Sequence, residues 1–383
     1  MQQLSYISFD SVPAPKGAAV HIEAFARALG RSFGAIELVT VSETIPAKPR
    51  FERWPGVFHT ELPAAGVSLI DRAFCFRGFL EHWLAGRSLE VVQFRSIFEA
   101  YPLLLRLRPR PKLIFEVNGL PSIELKHRYP RVADDRELMR KLVGQERTCL
   151  DAADRIVTPS VVTARHLETD CGADPAKIHV IPNGVDITLF RYATRAVEDL
   201  NLLYFGTLSS WQGVDTAVRA VAQIGARLTI LGVGSNRQRE SLLSLAAKLA
   251  ARVEVLPPVD QAQVNEYLHR SFAVLAPLSL DDRNTKQGCC PLKILEAMAA
   301  GVPVIASDLP VVRELGEPGR HFLLVKPGSV DQIAQAILQL QADPDLRDRL
   351  RTKARAHVEA NYTWERAGAA LSKVWSTCLS TPG

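Results

Sequence analysis

Short apolar runs alternate with amphipathic segments along most of this chain. In the first half, the runs that predict strands are Leu4 to Phe9, Ile36 to Val41, Val91 to Phe94, Leu113 to Val117, Arg155 to Thr158 and Ile178 to Ile181. Most of them are separated by segments with helical periodicity. This alternation predicts parallel strands joined by right-handed crossovers, which is a doubly wound α/β sheet.

A second series with the same alternation begins near residue 200. Its predicted strands are Leu200 to Phe205, Leu228 to Leu231, Val253 to Leu256, Phe272 to Pro277, Val304 to Ser307 and Phe322 to Val325. Two amphipathic helical patterns follow, and Thr363 is expected to cap a last helix. The second half therefore predicts another doubly wound sheet.

The length of the chain favours two domains, because 383 residues exceed what one typical hydrophobic core sustains. Residues 191–198 are polar and without periodicity, so we place the linker there. The expected domains are 1–190 and 191–360, and a helical segment over 361–383 completes the chain.

Composition is that of an ordinary globular protein, with 47% hydrophobic and 23% charged residues. No apolar run has membrane-spanning length, and the first residues lack the charged-then-apolar pattern of a secretory signal. We therefore expect a cytoplasmic protein. The six cysteines show no paired metal-ligand spacing, and the adjacent Cys289 and Cys290 have no second pair nearby, so no metal site is expected.

A net charge of +5 is mild, and the chain has no nucleic-acid-binding motif, so a nucleic-acid partner is not expected. Four basic residues, Arg106, Arg108, Arg110 and Lys112, follow the apolar stretch 101–107. Two interpretations are open. The cluster is either a solvated helix end or a surface for peripheral contact with an anionic membrane at its inner face.

Ligands of doubly wound sheets bind at the carboxyl ends of the strands, so residues that follow strands are candidates. In the first half these include Arg95 with Ser96 and Asn118 with Gly119. Glu116 lies two residues before Asn118 and hence on the same face of its strand. A buried carboxylate there either pairs with Arg95 or contacts substrate, and the residues alone do not choose between these roles.

The stretch 288–307 carries the most information. It begins with a glycine-containing loop, Gly288-Cys289-Cys290, enters a helix at Pro291, stops at Gly301 and continues into the strand 304–307. The free amides of the first helical turn and the helix macrodipole favour a phosphate group. Glu296, less than two turns into the helix, can accept hydrogen bonds from hydroxyls attached to that phosphate.

A nucleotide sugar has both of these parts. Without a ligand, the same stretch is an ordinary helix-then-strand unit in which Lys293 and Glu296 are solvated surface residues.

The run from Pro291 to Ser307 resembles the nucleotide-sugar-binding motif of the retaining glycosyltransferases of family 4, known in bacteria as group 1 glycosyltransferases. The Pro-Asn-Gly-Val-Asp run at 182–186 resembles the family's passage between domains, and the likeness covers nearly the whole chain. The resemblance implies the GT-B fold, in which two Rossmann-like domains face a cleft and the last helix crosses back onto the N-terminal domain. It also implies that Glu296 holds the ribose of the donor.

The implied reaction moves a hexose from a nucleoside diphosphate sugar to an acceptor hydroxyl with retention of configuration. No cofactor or metal is expected, since the helix amides and Lys293 would stabilise the departing diphosphate. The implied acceptor is a saccharide, a lipid-linked compound or a small molecule, in polysaccharide or glycolipid synthesis. Two alternatives are a non-catalytic nucleotide- or glycan-binding homologue and a phosphorylase or epimerase on a similar scaffold.

The chain departs from the family pattern at four positions. Thr207 and Gln212 stand where arginine and lysine often grip the diphosphate, Gly288 replaces an acidic residue, and Asn118 stands where many relatives have histidine. The expected donor-binding residues are Gly17, Gly206, Thr207, Gln212, Gly213, Gly288, Cys289, Cys290, Pro291, Leu292, Lys293 and Glu296. Asn118 and Glu116 are the candidate catalytic residues, and Arg95, Ser96 and Gly119 are expected on the acceptor side.

Overall fold

The structure is a computed structural model that describes residues 4–42, 48–107, 109–128, 134–193 and 197–380. Arg108 and the middle of the predicted linker lie outside the described residues. The chain forms two compact units, one comprising Met1–Ala14, Ala18–Pro182 and Ala367–Gly383 and the other Pro15–Gly17 and Asn183–Arg366. The division at Pro182 and Asn183 precedes the predicted linker at 191–198.

The sheet of the first unit has eight strands. They are β1 (Leu4–Ile7), β2 (Ile36–Ser42), β3 (Lys48–Trp54), β4 (Val57–Pro63), β5 (Val91–Phe94), β6 (Lys112–Glu116), β7 (Arg155–Thr158) and β8 (Ile178–Val180), in the order β3-β4-β2-β1-β5-β6-β7-β8. All neighbours are parallel except the antiparallel pair β3 and β4. The predicted parallel sheet is confirmed, whereas the sequence did not predict β3 and β4.

Helices cover this sheet. They are α1 (Gly17–Phe33), α2 (Leu69–Leu84), α3 (Ile97–Arg106), α4 (Pro121–Arg128), α5 (Arg136–Ala152) and α6 (Val161–Thr169). Four of them begin after a serine or aspartate whose side chain accepts a hydrogen bond from a first-turn amide: Ser68, Ser96, Asp135 and Ser160. These caps explain why the helices start directly after loops at the strand ends.

The second unit contains a six-stranded sheet that is parallel throughout. Its strands are β9 (Asn201–Thr207), β10 (Arg227–Val233), β11 (Arg252–Leu256), β12 (Ala273–Ala276), β13 (Val304–Ser307) and β14 (Leu323–Val325), in the order β11-β10-β9-β12-β13-β14. Its helices are α7 (Val214–Ile224), α8 (Asn236–Lys248), α9 (Gln261–His269), α10 (Leu292–Ala299), α11 (Pro310–Arg313), α12 (Val330–Ala342) and α13 (Pro344–Asn361). The second doubly wound sheet is therefore also confirmed.

The last helix, α14 (Trp364–Ser380), packs on the first unit. Trp375 is fully buried, and its Nε1 donates to Oε1 of Gln93 over 2.6 Å. A Cβ atom at Gly368 would lie 2.5 Å from that of Ala28, so α14 and α1 approach each other closely. The predicted return of the C-terminal helix to the N-terminal half is confirmed.

The described part of the basic cluster is largely paired. Arg106 forms an ion pair with Glu81 at 2.8 Å, while Arg110 and Lys112 lie 3.4 and 3.9 Å from the carboxylate of Asp154. These pairs favour the solvated helix end, and peripheral membrane contact stays a prediction. Among the described residues, no helix combines the length and the apolar character that crossing a membrane requires.

Candidate active site

The loop that leads into α10 is held on two sides. Gly288 has φ of +74°, in the left-handed region that favours glycine, and its carbonyl accepts a hydrogen bond from Arg283 at 2.8 Å. The carbonyl of Cys290 accepts from the side-chain amide of Asn183 at 2.7 Å. Pro291 is the N-cap residue of α10 and makes no side-chain capping bond. The first-turn amides of α10 therefore have a fixed position and no capping side chain.

Lys293 lies in the first turn of α10 and is only 9% exposed. Its Nζ lies 2.5 Å from Oε1 of Gln212 and 4.1 Å from the centre of the Tyr204 ring. Burial lowers the pKa of Lys293 to about 7, an effect that the neighbouring Cys289 and Glu296 only partly oppose. The interpretation of Lys293 as a solvated surface residue is therefore wrong.

Glu296 is also buried, with 7% of its surface exposed. Nε2 of Gln261 donates to its Oε1 at 3.0 Å. Burial raises the pKa of Glu296 to about 7, while the bond from Gln261 and the charge of Lys293 act in the opposite direction. Lys293 and Glu296 are three residues apart and so lie on one face of α10. The surface interpretation fails for Glu296 as well.

Two glycines lie in the segment that carries Thr207 and Gln212. Gly206, near the end of β9, has φ of +128°, and a Cβ atom there would lie 3.2 Å from Nζ of Lys293. Gly213 has φ of +61°, and a Cβ atom there would lie 2.0 Å from the carbonyl oxygen of Pro277. A side chain at 206 would crowd Lys293 and one at 213 would clash with the backbone of Pro277, so the fold requires glycine at both positions.

The structure thus brings most of the predicted donor-binding residues together. The hydroxyl of Tyr204 donates to the carbonyl of Thr207 and lies 3.3 Å from Oε1 of Gln212. Cys290 is buried and Cys289 partly so, and burial raises the pKa of both thiols. Leu292 is the first residue of α10, so its position follows from that of the helix. Gly17 is the first residue of α1, and residues 15–17 belong to the second compact unit.

The far end of α10 is anchored by arginines that the sequence analysis missed. Arg355 donates to the carbonyl of Ala299 at 2.6 Å, and Arg351 donates to that of Gly301 at 2.9 Å. Cations at a helix C-terminus complement the macrodipole and satisfy its last carbonyls. The sequence does contain a pattern that could have indicated them. Arg347, Arg351 and Arg355 recur every four residues and therefore share one face of α13.

In the first unit, the carboxylate of Glu116 is the centre of a buried network. Tyr6 and Gln93 donate to Oε2 at 2.7 and 2.5 Å. Nε of Arg95 donates to Oε1 at 2.8 Å, and Nε2 of His21 lies 2.7 Å from the same atom. Burial alone would raise the pKa of Glu116, but His21 and Arg95 outweigh it and hold the pKa well below its usual range.

This network favours the pairing role for Glu116. The side-chain amide of Asn118 also donates to Oε1, so Asn118 is oriented by Glu116. Arg95 bridges from Glu116 to Asp10, with 3.0 Å between its Nη1 and the Asp10 carboxylate. Each partner comes from a strand end, a following loop or α1, and Glu116 therefore fixes several strand-end loops at once.

The two other residues predicted on the acceptor side, Ser96 and Gly119, directly follow Arg95 and Asn118 in the sequence. Ser96 caps α3 through a bond from the amide of Phe98 at 3.2 Å, and its hydroxyl donates to Glu99. Buried Glu99 also accepts from the amides of Phe9 and Arg95, at 3.1 and 3.2 Å. Gly119 lies between β6 and α4. Glu99 was not among the predicted residues, because nothing in the local sequence marks a glutamate that bonds to distant loops.

Two family models divide the chain between them. The model described as Glycosyltransferase Family 4 matches residues 15–189, and the one described as Glycosyl transferases group 1 matches residues 188–357. A curated relative from Thermobispora bispora, D-inositol 3-phosphate glycosyltransferase, is 27% identical over 95% of this chain and 90% of its own length. Four other relatives of that name match over only 63% to 66% of their length.

Solved structures show the same fold. Sucrose-phosphate synthase from Thermosynechococcus elongatus has a TM-score of 0.86 at 19% identity, covering 99% of this chain and all of that one. HepE from Anabaena in complex with UDP-glucose has a TM-score of 0.73 at 14% identity, covering 98% and 100%. Two doubly wound units with parallel sheets and these likenesses define a GT-B fold. Within that class, the chain belongs to the group 1 glycosyltransferases, with the family 4 type of N-terminal half.

Proposed function

We propose that this protein transfers a hexose from a nucleoside diphosphate sugar to an acceptor hydroxyl with retention of configuration. Its use would be in bacterial polysaccharide or glycolipid synthesis. The observation that carries the proposal is the buried pair Lys293 and Glu296 on one face of α10, directly beside the uncapped first turn. Burying two ionisable groups costs free energy, and a ligand with a diphosphate and hydroxyls would compensate both.

The donor diphosphate would lie on the first-turn amides of α10 and against Lys293. The negative charge of the diphosphate would raise the pKa of Lys293 again, so the lysine would bind it as an ammonium group. As the sugar leaves, charge grows on the diphosphate, and donors already fixed in a buried site stabilise that charge without reorganising. The ribose would donate to Glu296, whose Oε1 is oriented by Gln261.

Gln212 is compatible with this mode of binding. Gln212 supplies an acceptor to Lys293, whereas a lysine at 212 would place two ammonium groups next to each other. The pocket therefore concentrates its positive charge on one buried lysine. A buried charge acts through a lower effective dielectric than an exposed one, so a single cation has a larger effect here.

In the first unit, we propose that Asn118 and Gly119 after β6, and Arg95 and Ser96 after β5, are on the acceptor side. Glu116 would act as a positioning residue that holds Asn118 and Arg95 rather than as a base. Asn118 is the candidate to contact the sugar, because its amide oxygen takes no part in the bond to Glu116.

The experiment is a transfer assay with a panel of nucleoside diphosphate sugars, beginning with UDP-glucose, the ligand named for HepE. D-Inositol 3-phosphate, named for the Thermobispora bispora relative, is one acceptor to test beside lipid-linked and free saccharides. The anomeric configuration of the product, read by NMR, should match that of the donor. Inversion would contradict retention, donor binding without any turnover would favour the non-catalytic homologue, and phosphate-dependent cleavage would favour a phosphorylase.

We also propose that the reaction needs no metal, because α10 and Lys293 can stabilise the diphosphate alone. Transfer should persist in EDTA. If EDTA abolishes transfer and magnesium or manganese restores it, the proposed stabilisation of the leaving group is wrong.

A further inference from the structure

A cavity lies in the second unit, at the amino-terminal edge of its sheet. It has a volume of about 370 Å³ and is lined by residues at the starts of β9, β10 and β11 and in the turns beside them. Three arginines contribute to its wall: Arg227, Arg252 and Arg270. The described residues of the lining include one carboxylate, that of Asp199. The cavity therefore carries an excess of positive charge.

The arginines are arranged in a way that folding alone does not explain. Arg227 and Arg252 are register partners on adjacent parallel strands, so two like charges stand side by side. All three arginines are exposed, and within the described residues their guanidinium groups make no hydrogen bond or ion pair. Like charges on opposite positions of neighbouring strands destabilise a sheet, and an anion bound between them would relieve that repulsion.

This cavity is separate from the site at α10. Gly206 and Thr207 are at the carboxyl end of β9, whereas Asn201, at its amino end, lines the cavity. Seven residues of strand put the two ends about 20 Å apart. One nucleotide sugar bound at α10 therefore cannot fill both sites.

We propose that the cavity of Arg227, Arg252 and Arg270 binds a phosphate-bearing anion. The planar guanidinium group presents two parallel donors that match two oxygens of a phosphate. The volume of about 370 Å³ is in the range of small-ligand sites, so the cavity has room for a phosphate together with a further group of the size of a sugar or lipid headgroup. A soluble phosphate ester and an anionic lipid headgroup share this chemistry.

The test is calorimetric titration of inorganic pyrophosphate into the whole protein, with and without the double substitution Arg227→Gln and Arg252→Gln. The titration is repeated in the Lys293→Ala background, so that the α10 site does not contribute. We expect the double variant to bind at least about tenfold more weakly in the Lys293→Ala background, as expected when charge-assisted hydrogen bonds are lost, and to retain only the α10 site when Lys293 is present. The matched control is Arg219→Gln with Arg237→Gln, two exposed arginines of the same unit, which should leave the affinity unchanged.

Arg270→Gln provides a second test on a different element, the turn before β12, and should also weaken pyrophosphate binding. Equal affinities for wild type, the double variant and Arg270→Gln would overturn the proposal. Flotation with phosphatidylglycerol and phosphatidylcholine vesicles distinguishes the sources. Binding to phosphatidylglycerol alone that is lost in the double variant would support a lipid headgroup, and pyrophosphate binding without vesicle binding would support a soluble phosphate ester.

Discussion

Replacing Lys293 with methionine should make the free protein more stable while removing its affinity for a nucleoside diphosphate. Burial lowers the pKa of Lys293 from 10.5 to about 7. One pKa unit corresponds to about 1.4 kcal/mol, so burying this lysine costs on the order of 5 kcal/mol at or below neutral pH. Methionine avoids that cost but leaves Gln212 without its ammonium partner. We therefore expect a net gain of about 1–4 kcal/mol in the free energy of unfolding.

The gain should depend on pH in a defined direction. The unfolded chain keeps the lysine proton up to about pH 10.5, whereas the folded protein releases it near pH 7. Between these values the unfolded state binds more protons, so the wild type gains stability as pH rises. The advantage of Lys293→Met is therefore largest below pH 7 and shrinks towards pH 10.5.

Urea unfolding of both proteins at about pH 6.5 and about pH 9, with and without nucleoside diphosphate, measures both effects. A ligand at 100 times its dissociation constant should stabilise the wild type by about 2.7 kcal/mol and the variant by much less. Lys248→Met, at an exposed position at the end of α8, is the control and should change stability by less than about 0.5 kcal/mol. A variant that is less stable than the wild type yet binds equally well would show that Lys293 neither destabilises the free protein nor holds the diphosphate.

Two further substitutions test the surroundings of the two buried charges. Gln212→Lys places a second ammonium group beside Lys293, so we expect a lower melting temperature without ligand and partial recovery when a nucleoside diphosphate is added. A variant whose melting temperature matches the wild type would argue against the close contact. Glu116→Gln removes the charge that Arg95 pairs with, and urea unfolding should show a loss of about 3–5 kcal/mol. Glu90→Gln, at an exposed position, is the control. An equally small change in the free energy of unfolding of both variants would contradict a stabilising role for the network around Glu116.

The sheets could be predicted largely from the sequence, because most strands are apolar runs separated by helical periodicity. β4 was not predicted, because three consecutive positions in its interior, His59, Thr60 and Glu61, are polar yet buried. His59 is accommodated by a hydrogen-bonding contact of 2.7 Å with the hydroxyl of Thr40 on β2. Such a strand does not alternate between apolar and polar residues, so its pattern resembles that of a loop.

The residues of the candidate site could be predicted from the sequence, but their burial and their hydrogen-bond partners could not. The helix start at Pro291 and the roles suggested for Lys293 and Glu296 followed from one local stretch, but their burial depends on Tyr204 and Gln261, which are distant in sequence. The network around Glu116 is similarly non-local, since its partner Gln93 also accepts a bond from Trp375, 282 residues away. A local sequence pattern cannot indicate these partners, because the hydrogen bonds form only when distant helices and strands pack together.

Calorimetric titration of a nucleoside diphosphate into wild type and Glu296→Ala tests the nucleotide-sugar site at α10 most directly. The titration is best run at about pH 8, where a carboxyl group with a pKa of about 7 is mostly ionised. Glu266→Ala, which removes an exposed glutamate from α9, serves as the matched control. Melting temperatures confirm that each variant is folded.

A hydrogen bond to a charged group contributes roughly 1.5–3 kcal/mol, and about 1.4 kcal/mol is a tenfold change in affinity. We therefore predict that Glu296→Ala binds about one to two orders of magnitude more weakly, while Glu266→Ala binds like the wild type. Equal dissociation constants for all three proteins would contradict the ribose role of Glu296 and, with it, the assignment of α10 as the nucleotide-sugar site.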